Sequence, residues 1–195
     1  MVSYLQPIIN DTKLSNFAEL NLTLGQSYFE LEQYENAIKY MEVYSEKTRS
    51  LQKSEIYQLG YAYYQTGDCK NAITNLTQLA DLKDTVGQNA LYLLGDCYLK
   101  SNNKLNARSA FQKAASFNFD PVITENSRFN YGKLSYEAGL DNEAVVALEG
   151  FIKEYPKSKY GNEAKSLLSI LLVSSSDYEK ALKIIEGIAD KSPQV

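Results

Sequence analysis

Small and apolar residues recur along the chain at intervals of 35 or 37 positions. In five places an alanine follows a glycine or serine by twelve residues. The five pairs are Gly25 and Ala37, Gly60 and Ala72, Gly95 and Ala107, Gly132 and Ala144, and Ser169 and Ala181. Apolar or small residues lie four and seven positions after each alanine, and these offsets share one face of an α-helix. The pattern therefore predicts five copies of a unit that contains two amphipathic helices.

The small residues mark the places where the two helices of a unit are expected to cross. Glycine or alanine at a crossing lets two backbones approach closely, whereas a larger side chain would hold them apart. Short polar stretches, such as residues 65–71 and 101–106, separate the helices and supply turn and N-cap residues. One helix pair cannot bury its own apolar face, so neighbouring units must stack. We therefore predict an all-α protein of stacked antiparallel helix pairs.

The unit has the form Leu-Gly-x2-Tyr, then Ala-x3-Phe, then often Pro, and so resembles the tetratricopeptide repeat. Phe111 follows Ala107 by four residues, and Pro156 follows Ala144 by twelve. The tryptophan that the family carries in its first helix is absent. Five copies in one register nevertheless favour this family over an arbitrary helical bundle. The resemblance implies a right-handed superhelical solenoid of about five repeats, near residues 18–52, 53–87, 88–124, 125–161 and 162–195.

The two ends of the chain suggest that the array continues or pairs with another surface. Residues 1–16 are expected to be an N-terminal segment or the end of a preceding helix, and residues 17–195 a single array. The fifth unit carries Ile184, Ile185 and Ile188 without a further helix to cover them. A free-standing array normally ends in a polar capping repeat. We therefore expect a fragment of a longer repeat protein, or self-association through the apolar ends of the array.

Composition argues against several classes of function. The net charge is −4 and no basic run occurs, which disfavours nucleic-acid binding. No stretch approaches eighteen uninterrupted apolar residues, so membrane insertion by this segment is not expected. The chain has no histidine and two cysteines, and no catalytic or phosphate-binding motif is present. We therefore expect a non-catalytic protein with no catalytic residues, metal site or cofactor.

The two cysteines occupy different places in the repeat. Cys97 follows Gly95 by two residues, whereas Cys69 lies near the start of the second helix of the preceding unit. In stacked repeats these two positions could be neighbours. A disulfide would need the two Cα atoms within about 7 Å. Two separate small core residues are the favoured interpretation, with a disulfide as the alternative.

The resemblance also implies a concave groove lined by the first helices of successive units. The residues expected there are largely aromatic, amide or charged: Gln26, Phe29, Tyr57, Gln58, Tyr61, Tyr64, Tyr92, Asp96, Phe129, Asn130, Lys133 and Tyr136. Tyrosine gives rigid contact area, and amides can pair with an extended backbone, so the groove suits a peptide or a partner's loop. It does not suit a clamp for a C-terminal carboxylate, because only Lys100 and Lys133 are basic. The alternative is that the tyrosines merely pack between adjacent first helices.

The leading functional interpretation is a non-catalytic scaffold for a protein or peptide. Two alternatives stay open: a structural or oligomerisation arm of a larger protein, and the non-catalytic arm of an enzyme whose active domain is absent. The stretch Phe151–Leu168 is similar to repeat junctions in bacterial outer-membrane assembly lipoproteins and in the periplasmic coordinator of the Tol-Pal system. This resemblance implies a bacterial protein of the cell envelope, in the periplasm or at the outer membrane, with the cytoplasm as the alternative.

Overall fold

The computed structural model describes residues 2–5 and 17–189, the side chains of Leu5 and residues 187–189 excepted. Ile188 therefore lies outside the side chains described. The described residues form helices and no strands. The α-helices are α1 (Val2–Leu5), α2 (Phe17–Glu30), α3 (Tyr34–Lys47), α4 (Lys53–Gln65), α5 (Cys69–Leu76), α6 (Thr85–Lys100), α7 (Lys104–Ala115), α8 (Pro121–Glu137), α9 (Asp141–Glu154), α10 (Gly161–Ser174) and α11 (Tyr178–Ala189), and a 3₁₀ helix spans Thr77–Leu79. The predicted all-α class is confirmed.

The helices divide into two compact units, residues 1–102 and 103–195. In the first unit α2 packs on α3, α4 packs on α3 and α5, and α6 packs on α5 and on the 3₁₀ helix. In the second unit α8 packs between α7 and α9, and α10 packs on α9 and α11. Sequential neighbours thus supply the core of each unit, as expected for antiparallel helix pairs. None of the described helices combines the length and the apolar character needed to cross a bilayer.

The predicted crossing points are the tightest places in the structure. All five repeat alanines are buried, with at most 2% of the surface of any of them exposed. A Cβ atom added to Gly25 would lie 2.4 Å from Met41 Cγ and 3.1 Å from the Met41 backbone nitrogen. The same addition to Gly60 would meet Leu76 at 2.9 Å, and that to Gly132 would meet Leu148 at 3.0 Å. Each glycine thus faces the large apolar residue four positions after the alanine of its own unit.

Every turn between the first and second helix contains a residue in the left-handed backbone region. These residues are Glu32, Gly67, Asn102, Gly139 and Ser176, with φ angles between 56° and 81°. Each follows the crossing glycine or serine by seven positions. The next amide reaches back to close the helix end, as when Gln33 N donates to Tyr28 O at 2.9 Å. Glycine adopts this conformation freely, whereas other residues lose roughly 1–2 kcal/mol in it.

Side-chain caps fix the start of several helices. Asp68 accepts a hydrogen bond from Asn71 N, and Asp84 accepts one from Gly87 N. At α8 the Asp120 carboxylate accepts from two backbone amides, and Pro121 occupies the first turn, where its missing N–H is not needed. The polar stretch 65–71 therefore acts as turn and cap, as its composition predicts.

The two cysteines meet within the first unit as free thiols. Cys97 is fully buried and Cys69 is half-buried, and a hydrogen bond links their side chains. Burial raises the pKa of the Cys97 thiol, and the bond to Cys69 raises it further. The thiols are therefore neighbours across two successive repeats, without a disulfide between them.

Substituting the first crossing glycine should destabilise the protein. We expect Gly25→Ala to lower the free energy of unfolding by about 1–2 kcal/mol, because the overpacking cost outweighs the gain in helix propensity. The matched control is Gly150→Ala in α9, where the added Cβ would meet no atom within 4 Å beyond the adjacent backbone of its own helix. That control should stabilise by up to about 1 kcal/mol. Urea unfolding followed by circular dichroism measures both, and equal effects at the two positions would contradict the crossing-point account.

Candidate partner-binding site

Side-chain hydrogen bonds connect the first helices of successive repeats in the first unit. In each case the two residues are 32 positions apart in the sequence, and the hydrogen bond is partly buried. The bonds run from Gln26 Nε2 to Gln58 Oε1 (3.1 Å), from Tyr57 Oη to Asn89 Oδ1 (3.1 Å) and from Tyr64 Oη to Asp96 Oδ2 (2.7 Å). The predicted groove residues of α2, α4 and α6 therefore bind each other across the helices, as the packing alternative expects.

Aromatic rings gather beside these bonds. Phe29, Tyr34 and Tyr61 form a triangle in which the ring centroids lie 5.7–5.9 Å apart and the planes cross at 63–76°. Tyr57 and Tyr64 extend the cluster, with ring centroids 5.9 and 6.4 Å from that of Tyr61. All five rings are half-buried. Edge-to-face contacts of this kind stabilise an aromatic cluster beyond the area that it buries.

The cluster lines an open cavity of about 390 Å³. Four aromatic rings, two carboxylates and one amide form its walls: Phe29, Tyr34, Tyr57, Tyr61, Glu30, Glu32 and Asn89. Glu30 and Glu32 are exposed, whereas the rings and Asn89 are half-buried. The cavity therefore combines apolar walls with negative charge at its edge.

The tyrosines of this surface hold their protons more tightly than free tyrosine does. Burial raises the pKa of Tyr57 to about 12, and the neighbouring Tyr61 adds to the effect. Burial also raises the pKa of Tyr34, with contributions from Tyr61 and Glu32. The pKa of Tyr64 is raised by burial and by its hydrogen bond to Asp96. These hydroxyls are therefore neutral donors at physiological pH.

Two further predicted residues, Asp96 and Tyr92, lie beside Tyr64. Lys100 Nζ pairs with Asp96 Oδ2 at 2.8 Å and lies 4.4 Å from the centroid of the Tyr64 ring. Tyr92 is half-buried and contributes to the raised pKa of Tyr64. At this end of the surface, Lys100 is therefore held by the Tyr64 ring and the Asp96 carboxylate together.

Three sequence-family models match the chain, and each describes the tetratricopeptide repeat. They cover residues 18–42, 57–121 and 127–158, together more than half of the chain. The chain belongs to the tetratricopeptide repeat family. This agrees with the helix pairs, the buried alanines and the glycine crossings, and it confirms the family that the sequence motif indicates.

Solved structures of other tetratricopeptide repeat proteins share the fold. YrrB, described as a TPR protein with an unusual peptide-binding site, has a TM-score of 0.71 at 18% identity, covering 100% of this chain and 95% of its own. MamA has a TM-score of 0.66 at 18% identity, covering 91% and 93%. MamA from Desulfovibrio magneticus RS-1 has a TM-score of 0.62 at 16% identity, covering 89% and 93%. A search of curated protein sequences finds no match.

In the second unit of this repeat protein, one predicted groove residue is buried. Phe129 was expected to lie open, but it is 3% exposed and stacks on Tyr160, with ring centroids 4.4 Å apart and planes 7° from parallel. Tyr160 immediately precedes α10, and its ring covers the face of Phe129 that the repeat pattern predicts to be exposed. Phe129 also contacts Phe151 in the core. This ring therefore supports the fold and offers no free face.

The other three predicted residues of the second unit are half-buried. Asn130 Nδ2 donates to the Asn126 carbonyl at 2.9 Å, and Tyr136 packs against the core cluster. Lys133 Nζ pairs with Glu163 at 2.7 Å and lies 6.0 Å from the centroid of the Phe129 ring. Within residues 2–5 and 17–189, no three acidic, histidine or cysteine side chains are grouped so as to hold a metal ion.

Sequence reasoning missed Tyr34 and Glu32 as lining residues of the cavity. Tyr34 is the first residue of a second helix, and Glu32 belongs to a turn, whereas the family frame assigns the groove to first helices only. The side-chain oxygen of Asn89 accepts a hydrogen bond from the Tyr57 hydroxyl, and this bond holds Asn89 in the cavity wall. Glu32 lies seven positions after Gly25, where the second and fourth repeats have a glycine. This equivalence could have indicated that Glu32 belongs to a turn of fixed backbone conformation.

The raised pKa of Tyr57 makes stability depend on pH in the alkaline range. The unfolded chain releases the tyrosine proton near pH 10, whereas the folded protein keeps it to about pH 12. Between these values the native state binds more protons, so the free energy of unfolding should fall as pH rises. Tyr57→Phe should reduce this fall. The control, Tyr178→Phe at a position 63% exposed, should leave the slope unchanged in urea titrations at pH 8, 10 and 11.

Proposed function

We propose that this protein is a non-catalytic scaffold that binds an extended peptide, or a loop of a partner protein, along the first helices of its repeats. The observation that carries the proposal is the open cavity of about 390 Å³ walled by four half-buried rings. Aromatic residues dominate the fully buried centres of interfaces because they supply large contact areas. YrrB, which shares the fold, is described as having a peptide-binding site, and this supports a similar use here.

The hydrogen bonds between first helices prepare this surface for binding. A side chain that is already fixed loses little conformational freedom when a partner arrives. Tyr57 and Tyr64 are held by Asn89 and Asp96, so their ring faces keep one orientation. The hydrogen bonds between helices are therefore compatible with binding. The hydroxyls bind neighbouring helices, and the rings are the groups that contact the partner.

The residues proposed to contact the partner are those of the predicted set that keep accessible surface. In the first unit they are Gln26, Phe29, Tyr57, Gln58, Tyr61, Tyr64, Tyr92 and Asp96, together with Asn89 and Tyr34. In the second unit they are Asn130, Lys133 and Tyr136, whereas Phe129 is buried and is not proposed as a contact.

Removing the rings should weaken peptide binding while the helices persist. We expect the triple variant Tyr57→Ala, Tyr61→Ala and Tyr92→Ala to bind at least tenfold more weakly, as hot-spot truncations do. Ten-residue peptides are first selected from a random displayed library on the unmodified protein, and the affinity of the best binder is then measured by fluorescence anisotropy for both proteins.

Two controls accompany this measurement. Tyr178→Ala removes an exposed ring of α11 that is outside the proposed surface and should leave the affinity unchanged. Circular dichroism must show that the triple variant is folded; if it is not, Tyr61→Asn alone replaces it, because this residue is central to the ring cluster. Equal affinity of the folded variant and the unmodified protein would refute the groove.

A second candidate function is self-association through the last helix pair. Its outer surface exposes four large apolar side chains: Ile170 (53%), Val173 (46%), Leu182 (58%) and Ile185 (46%). Exposed large apolar side chains gathered on one helix pair are typical of interfaces between proteins. The candidate is a structural or oligomerisation arm in which these residues bind a second copy of the chain.

Charge on this surface should prevent such association. We expect the unmodified protein to show a concentration-dependent increase in mass by sedimentation equilibrium, and the double variant Leu182→Lys and Ile185→Lys to remain monomeric. Leu105→Lys, at a leucine of α7 that is 74% exposed, is the control and should behave like the unmodified protein. A monomer at all concentrations tested would exclude this candidate.

A further inference from the structure

We propose that the cavity beside α2 and α4 binds the side chain of a lysine or arginine in the partner peptide. The inference rests on the proposed peptide-binding function and names the chemistry of the residue that is recognised. Cations bind the faces of aromatic rings because the ring quadrupole is negative there, and carboxylates at the rim add direct charge attraction. The cavity supplies both, through its ring walls and through Glu30 and Glu32.

The ring geometry suits a cation more than a flat apolar group. Phe29, Tyr34 and Tyr61 cross one another at 63–76°, so their planes form the sides of a corner and not a single flat platform. Tyr57 adds a fourth ring to the cavity wall, with its centroid 5.9 Å from that of Tyr61. A corner of rings can surround an ammonium or guanidinium group on several sides, as aromatic cages do for cationic ligands.

The chain itself uses the same combination of ring, carboxylate and cation at two other places. Lys100 lies over the Tyr64 ring while it pairs with Asp96, at 4.4 and 2.8 Å. Lys133 lies over the Phe129 ring while it pairs with a glutamate. Both lysines belong to first helices, Lys100 to α6 and Lys133 to α8. Each of the two units thus places a lysine beside both a ring and a carboxylate.

The cavity has the rings and the carboxylates of those sites but no cation among the described residues. No lysine or arginine within residues 2–5 and 17–189 pairs with Glu30 or Glu32. None lies over the rings of the cavity either. Residues 17–47 carry six glutamates and two lysines, so the surrounding surface is negative. A basic side chain from a partner therefore completes the arrangement.

The backbone at Glu32 gives a further reason to assign a role to its carboxylate. This residue has a φ of 57°, in the position where the second and fourth repeats have Gly67 and Gly139. Glycine would relax the turn at Glu32 too, but it would remove the carboxylate from the cavity. Glu32→Gly therefore separates the two effects: stability should rise and binding should fall.

The experiment uses fluorescein-labelled nine-residue peptides of glycine and serine that carry three lysines, three arginines, three norleucines or three glutamates. Their affinities for the full chain are measured by fluorescence anisotropy at 50 and 300 mM salt. We expect the lysine and arginine peptides to bind at least tenfold more tightly than the norleucine and glutamate peptides. We also expect their affinity to fall at the higher salt concentration, because exposed charges are screened.

The variants locate the effect. Glu32→Gly should weaken lysine-peptide binding by about five- to tenfold while its melting temperature rises, and Glu30→Gln with Glu32→Gln should weaken it further and reduce the salt dependence. Tyr61→Asn should weaken it through loss of the central ring. Two controls should not change binding: Ser176→Gly, which relaxes the equivalent turn of the fifth repeat, and Glu46→Gln, at the far end of α3.

The outcomes separate this inference from the proposed function. Unchanged lysine-peptide affinity in Glu32→Gly and in the double glutamine variant overturns the inference, as does equal binding of the norleucine peptide. If that norleucine binding is lost in the triple tyrosine variant, the groove stands and the preference for a basic residue is wrong. If no peptide of the four binds, the basic preference is also wrong, whereas the groove is decided by the library selection.

Discussion

The structure depends on close crossings between the two helices of each unit, at a glycine or serine and an alanine. At Gly25 even one methyl group would overlap Met41, and the repeat alanines are almost completely buried. This tight contact leaves little freedom in the distance between the two helices of a pair. It also sets which residues of a first helix face outwards, because the crossing residue fixes the rotation of the helix. The ordered side chains of the candidate site follow from that fixed rotation.

The candidate site is a surface whose side chains bind one another before they bind anything else. Side-chain amides and hydroxyls of α2, α4 and α6 are joined in hydrogen bonds, and the cavity beside them is lined by rings and exposed carboxylates. The same residues thus stabilise the stack and shape the surface. A substitution there acts on both, which is why substitutions that keep a ring but remove its hydroxyl are informative about stability, and those that remove charge are informative about recognition.

The sequence predicts the architecture far better than the details of the surface. Gly60, Ala72 and their equivalents recur because sterics at a crossing allow few residue types, so the helix pairs and the family follow from the sequence alone. The cavity depends on contacts that no repeat position dictates. Tyr160 covers Phe129 from a position before its helix begins, and Tyr34 joins the rings from the start of a second helix. The left-handed turn residue is hard to predict from the sequence, because the five equivalent positions share one backbone conformation but carry four residue types.

The separation of 32 residues in the hydrogen bonds between first helices is three fewer than the repeat length of this unit. Each bond therefore joins a residue to the place almost one helical turn earlier on the following helix. Neighbouring packed helices lie roughly 8–10 Å apart, and an extended chain advances about 3.3 Å per residue. A peptide lying across these helices would thus meet a new helix about every third residue. The protein would therefore recognise about every third residue of the peptide, and the residues between them could vary.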